Sequence, residues 1–266
     1  YHTSGQCVFY QVCGYDCCCG SRGMFSYITV SNTASSKSYI NYSSIARCVT
    51  DSSNILDSSA YQNGKVCCPS VNTSLNQCYR MIGITCWPTK DSSSVTCSLT
   101  YSTFANNHAT GYNCLMLCTS GANFEIKCCN ILRNTQVSLN EQATILSTGD
   151  LRIEDSCILE NNANYIFSAS SCIITLSNCT VDSTSNTGYL TIQNIVTKSF
   201  ILGLNHMSTR NCHSEYDSAG TLTPITPPSS PSKKQIQCFT IDKFFNQPQL
   251  SDFFSLISLF FFNFII

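Results

Sequence analysis

The chain has 266 residues, enough for one large or two ordinary domains with a substantial core, and its 14 basic and 15 acidic side chains leave a formal net charge of −1. Only 11% of residues are charged, against about 25% in ordinary soluble domains. A nucleic-acid footprint needs clustered Lys and Arg; Lys233-Lys234 is the one adjacent basic pair, which argues against nucleic acid as a partner.

Residues 1–30 include QCVFYQVCGYDCCCG, which has no clean periodicity, and they read as an N-terminal cap or an irregular first coil. Twenty cysteines occur in the chain, fifteen of them between Cys7 and Cys129. Such density signals disulfides in an extracellular protein and metal or redox work in the cytosol. Structural zinc needs paired C-x2-C units. Cys13-x3-Cys17, the run Cys17-Cys18-Cys19, the doublets Cys67-Cys68 and Cys128-Cys129, and Cys114-x3-Cys118 do not make that pattern, so no metal and no cofactor is expected. Cys129, Cys157 and Cys179 have a further reading as small buried residues stacked in successive coils; the thiol state stays open at this point. Tyr1 in place of an initiating Met is what a removed signal or a fragment would leave.

From Met24 the pattern turns to short pieces such as MFSYITVS, KSYINYSSIARCV and CYRMIGITCW, rich in β-branched and aromatic residues and separated by Ser/Asn/Asp/Gly clusters. A solenoid body is expected over 31–217, clearest over 95–217. There a phrase recurs: small residue or Cys, any, apolar, any, any, polar. It stands as Ser102-x-Phe104-x-x-Asn107, Cys129-x-Ile131-x-x-Asn134, Cys157-x-Leu159-x-x-Asn162 and Cys179-x-Val181-x-x-Thr184, with a degenerate copy at Asn205-x-Met207-x-x-Arg210. First positions lie 27, 28, 22 and 26 residues apart. Each coil adds an alternating piece, such as Phe124 to Cys128 or Leu151 to Asp155, and an apolar piece, such as Tyr189 to Ile192. This predicts an all-β, right-handed parallel β-helix with three short strands per coil of 22–28 residues. The Asn that ends the phrase suits a left-handed turn residue, and stacked copies would form a ladder. Helical periodicity is hard to find here, and a β-sandwich does not explain a recurring phrase.

Residues 218–235 read as an extended linker, because Ala219 to Lys234 holds four of the seven prolines. Residues 236–266 form a C-terminal segment whose end, 253–266, carries no charge. Its 14 residues would span about 21 Å as a helix, short of the ~20 residues a bilayer needs. Membrane association through 253–266, a truncated transmembrane segment and a terminus folded back on the protein are the readings of it.

The repeated phrase, the FANN ending at Asn107, the LENN ending at Asn162 and the Pro/Ser tail before an apolar end resemble the uncharacterised, cysteine-containing, pectin-lyase-like β-helix surface proteins of trichomonad parasites. They are also similar to the FxxN half of the repeats in chlamydial polymorphic membrane proteins, though no GGA-type repeat accompanies them. The resemblance implies a right-handed β-helix at a cell surface or secreted, facing a host; it brings no catalytic residues.

Many parallel β-helices cleave polysaccharides, and glycoside hydrolysis needs two carboxylates about 5–10 Å apart. Glu160 aligns with Arg133 one coil earlier and Asp182 one coil later, which makes Glu160 and Asp182 the candidate catalytic pair. Asp150, Glu154 and Asp155 with Arg152 imitate the calcium-and-base set of a lyase. The opposing reading places all of these on solvent-facing positions that keep the solenoid soluble. Cys212-His213 beside Glu215 and Asp217 is a further metal-like cluster. Sequons at Asn41, Asn72 and Asn178 offer glycosylation. The expected function is a non-enzymatic surface or secreted β-helix for adhesion to a host-cell or glycan surface. The alternatives are a polysaccharide lyase or glycoside hydrolase, and a degenerate fragment without activity.

Overall fold

A computed structural model describes residues 2–3, 5–17, 25–49, 57–79, 82–111, 114–137 and 143–196. The expected linker, the C-terminal segment with 253–266 and the degenerate fifth phrase lie outside these residues. Every regular element among the described residues is a strand, and the strands pair in parallel from coil to coil. The chain is an all-β parallel solenoid of about six turns.

The strands fall into stacked rows. The first row holds Ser26–Val30, Ser59–Gln62, Ile84–Trp87, Leu115–Leu117 and Ala143–Ser147. The second holds Gln6–Tyr10, Lys37–Asn41, Lys65–Pro69, Val95–Thr100, Asn123–Lys127 and Asp150–Glu154. The long strand Tyr165–Ser177 runs through both rows, pairing with Ala143–Ser147 by its first half and Asp150–Glu154 by its second. The third row holds Cys13–Tyr15, Ser43–Ala46, Val71–Ser74, Thr103–Ala105, Asn130–Leu132, Cys157–Leu159 and Thr180–Val181. A short additional row, Gln77–Cys78, His108–Ala109 and Thr135–Gln136, follows it. Regular pairing therefore starts within residues 1–30, where Gln6–Tyr10 is in register with Lys37–Asn41.

The alternating sequence of the second row dictates its two sides. Its inward columns are apolar, with Val66 and Cys68, Cys97 and Leu99, Phe124 and Ile126, Leu151 and Ile153, and Ile174 and Leu176 all buried. The third row contributes Ile45, Phe104, Ile131 and Ile158 to the same core. Each large side chain buried this way stabilises the fold by about 1.5–3 kcal/mol. Its outward side carries a second, smaller cluster of Ala105, Leu132 and Cys157, with Leu159 against it.

Two columns of left-handed residues bracket the third row. Gln11, Tyr42, Ser70, Tyr101, Cys128, Asp155 and Asn178 precede it, and Asp16, Arg47, Leu75, Asn106, Arg133 and Glu160 follow it, with φ between 48° and 58°. This backbone costs a non-glycine residue roughly 1–2 kcal/mol. The cost is offset because the inter-coil ladder runs through the turns. Tyr42 N–H donates to the Pro69 carbonyl, Tyr101 N–H to Lys127, Arg47 N–H to Ser74 and Arg133 N–H to Leu159.

The register corrects the expected alignment of the phrase. Cys157 pairs with Asn130, so Ser156, not Cys157, occupies the position of Cys129. Its hydroxyl accepts the Cys129 N–H at 3.0 Å. The column runs Ser102, Cys129, Ser156, Cys179, and Cys157 lies on the outward side of the third row. The third copy therefore ends on Asn161 rather than Asn162. Asn76, Asn107, Asn134 and Asn161 form the ladder: each of the first three donates Nδ2–H to the Oδ1 of the next, at 3.1, 2.9 and 2.9 Å.

Candidate functional site

Outward residues of the second row stand in columns along the stack, and in the middle coils these columns are charged. Glu125 is opposite Arg152 and Lys127 is opposite Glu154. Lys127 Nζ lies 3.3 Å from the Glu154 carboxylate, and Arg152 pairs with the same carboxylate. Glu154 thus neutralises two cations, and its pairing with Lys127 raises the Lys127 pKa. A shallow open groove of about 620 Å³ runs over this region, lined by Asn123, Glu125, Asp150, Arg152, Thr175 and Gln193 among others. At its rim, Asp91 accepts bonds from the Ser93 and Ser94 hydroxyls and the Ser93 N–H, and lies 3.4 Å from Lys65 Nζ. Those bonds hold its carboxyl well below the usual carboxylate range.

The candidate acids take structural partners. Glu160 lies 4.0 Å from Arg133 Nε in the coil before it, and its side chain is largely exposed. Asp182 accepts the backbone N–H of Glu160. The pairing of Ile158 with Val181 puts Asp182 level with Leu159, so Glu160 and Asp182 are one residue out of register across the coils. The Asp150 carboxylate accepts the Ile173 N–H at 3.0 Å, and Asp155 accepts from the Asn178 side chain at 3.4 Å. In the lyase-like set, Asp150 and Asp155 are therefore tied to the next coil, and Glu154 is tied to Lys127 of the preceding coil and to Arg152 on its own strand. Among the described residues no group of three or more His, Cys, Asp or Glu is placed to hold a metal. Cys212, His213, Glu215 and Asp217 lie outside the described residues.

The sequons separate by burial. Asn72 is buried in the third row, donating to the Ser44 and Ser74 hydroxyls at 2.9 and 3.1 Å. A glycan has no room there, so Asn72 is not an acceptor on the folded chain. Asn178 is exposed on a left-handed turn, and Asn41 is half-buried at the end of a second-row strand.

Fifteen described cysteines are free thiols, ten of them buried, and Cys13 is disulfide-bonded. Cys129 and Cys179 donate to the carbonyls two residues before them, as the Ser102 and Ser156 hydroxyls do. Cysteine here is chiefly a small core residue that closes a turn. Burial pushes the Cys118 and Cys129 thiols up to about 11 and about 12, which makes them poor nucleophiles.

One surface feature escaped sequence reasoning. Tyr10, Tyr42 and Tyr101 are 57%, 45% and 51% exposed at the corner between the second and third rows. Tyr10 and Tyr42 meet edge to face, with ring centroids 5.8 Å apart. Tyr42 and Tyr101 share one left-handed column with Ser70 between them, so two strand spacings, about 9.5 Å, separate their backbones. The signal was present in the sequence: Tyr-Ser occurs at Tyr42-Ser43 and Tyr101-Ser102, immediately before the small residue of the coil. Among the described residues no helix is long and apolar enough to cross a membrane.

Fold and surface define a parallel β-solenoid with a polar, mutually neutralised face and a tyrosine-lined corner. No family model, no curated protein and no solved structure matches the chain.

Proposed function

We propose that the chain is a non-enzymatic, surface or secreted, right-handed and pectin-lyase-like β-helix that makes contact with a host-cell or glycan surface. The observation that carries this reading is the tyrosine corner. Tyr42 and Tyr101 hold exposed rings on left-handed backbone, where Asn or Gly would be less strained. Stability alone would not select Tyr there. An exposed ring presents an apolar face and a hydroxyl together, and the apolar faces of sugar rings stack on such surfaces. Beside the corner lie exposed Gln11 and half-buried Thr100, which supply hydrogen-bonding groups for sugar hydroxyls. The acids weighed as catalysts support the same reading, since Glu154, Asp150 and Asp182 are each engaged by a neighbouring coil. The Cys13 disulfide suits an oxidising compartment, and the buried free thiols survive there because oxidants do not reach them. The charge-free run 253–266 supports attachment to a membrane.

The test is a panel of insoluble and soluble polysaccharides, scored for retention of the protein and for new reducing ends. Retention without new ends, reduced in Tyr10→Ala/Tyr42→Asn/Tyr101→Asn, is the expected result. New reducing ends that disappear in Glu160→Ala or Asp182→Ala would replace this reading with the hydrolase.

A further inference from the structure

The Asn ladder does not begin with Asn. The residue after the left-handed turn is Asn161, Asn134, Asn107 and Asn76 in successive coils going toward the N-terminus, following Glu160, Arg133, Asn106 and Leu75. In the two preceding coils the same position, after Arg47 and Asp16, is held by Cys48 and Cys17. The equivalence is visible in the bonding, since Cys48 N–H donates to Asn76 Oδ1 at 2.9 Å, as Asn76 N–H does to Asn107 Oδ1 at 3.1 Å. Tyr15 and Ala46, two residues earlier, are paired across the coils. Cys17 is half-buried and Cys48 is buried.

We propose that Cys17 and Cys48 are a redox site, a thiol pair that a small-molecule disulfide oxidises to a covalent rung closing the N-terminal end of the ladder. The geometry suits the bond. Residues paired across neighbouring parallel strands sit about 4.8 Å apart, inside the ~4.4–6.8 Å between Cα atoms that a disulfide spans without backbone movement. The two thiols are already in side-chain contact, each also bonded to the carbonyl two residues before it. Their roles differ. Hydrogen bonding from Cys48 lowers the Cys17 thiol to about 7, against burial and the nearby Asp16 charge, which raise it. The contact with Cys17, together with burial, pushes Cys48 up. The neighbouring charges, Asp16 and Arg47, are paired with each other at 3.3 Å, and Arg47 also lies over the Tyr15 ring.

Cys17, the more exposed and more acidic thiol, is the attacking group. Its thiolate displaces one half of a disulfide such as oxidised glutathione, forming a mixed disulfide and releasing one glutathione thiolate. Cys48 then attacks the Cys17 sulfur, breaks the mixed disulfide and expels the second glutathione. The two thiol protons end on the two glutathione molecules, so two protein thiols are oxidised and one glutathione disulfide is reduced. The other nine buried free thiols among the described residues lack this combination of an in-register partner and access.

The test uses the full chain, reduced and then incubated with oxidised glutathione near neutral pH, with disulfides mapped by mass spectrometry of peptides. A Cys17–Cys48 link and a melting temperature raised by roughly 5–10 °C are expected, because the bond joins residues 31 positions apart in neighbouring coils. Cys48→Ser should trap glutathione on Cys17. Cys17→Asn/Cys48→Asn should extend the ladder and reduce the redox-dependent shift to the part that the Cys13 disulfide contributes. Both cysteines remaining alkylatable after oxidation, a link from either one to another cysteine, or an unchanged redox shift in the double Asn variant would overturn the proposal.

Discussion

Asn107 and Asn134 are joined twice: the backbone N–H and the side-chain Nδ2–H of Asn107 both donate to Asn134 Oδ1, at 3.2 and 2.9 Å. Asn107 also donates to the Thr73 carbonyl at 2.9 Å and accepts the backbone and side-chain amides of Asn76, both at 3.1 Å. One buried amide therefore satisfies polar groups in three coils. Asn107→Ala is predicted to leave several of them unpaired and to destabilise the solenoid by about 2–4 kcal/mol. Asn107→Asp should also destabilise, since it brings a second acceptor to the Thr73 carbonyl. Urea unfolding of the two variants measures this.

Phe104 lies three residues before that ladder position and fills the core of the third row, fully buried between Thr73 and Ile131 in register. Phe104→Ala is predicted to cost about 3–5 kcal/mol, and Phe104→Leu clearly less. Thermal unfolding separates the two.

How much of this was legible in the sequence depends on the residue. The phrase located Asn107, Asn134, Phe104 and Ile131 because, despite the doublets Asn106-Asn107 and Cys128-Cys129, only one frame of the whole pattern fits in their coils. It slipped at the third copy, where Ser156-Cys157 and Asn161-Asn162 are doublets and either member fits the pattern; only the pairing of Cys157 with Asn130 decides between them. Arg133 and Glu160 were placed correctly in adjacent coils, but the one-residue offset of Asp182 follows from a coil of 23 residues between Ser156 and Cys179, which the phrase alone misread. Of the tyrosine corner only the Tyr-Ser pairs were legible, because exposure of Tyr42 and Tyr101 depends on the left-handed turn that carries them.

The mixed Ser and Cys column yields a substitution that should be tolerated. Cys129→Ser places a hydroxyl where Ser102 and Ser156 already make the equivalent carbonyl bond. It is predicted to change stability by less than about 1 kcal/mol.

Wild-type protein should also lose stability in alkali through this thiol. Burial raises Cys129 from 9.0 to about 12 in the folded state. The neutral form is the favoured one, so the contribution is fully present below 9.0 and is lost as pH rises toward about 12. Within that window stability falls by about 1.4 kcal/mol per pH unit for such a group. Urea midpoints against pH should show a shallower decline in Cys129→Ser than in the wild type.

Glu160→Ala and Asp182→Ala remove exposed partners at a turn, and exposed ion pairs contribute about 0–1 kcal/mol. Each is predicted to leave unfolding within about 1 kcal/mol of wild type, with no change in surface retention. A calorimetric scan beside the retention assay checks both.

Contact through the tyrosine corner is most directly tested by measuring unfolding stability and polysaccharide or host-cell retention on the same preparations of wild type and Tyr42→Asn/Tyr101→Asn. Asn relieves the left-handed strain at two positions, so the double variant is predicted to be more stable by about 1 kcal/mol and to lose retention. Equal retention by the two proteins would contradict a contact role for this corner.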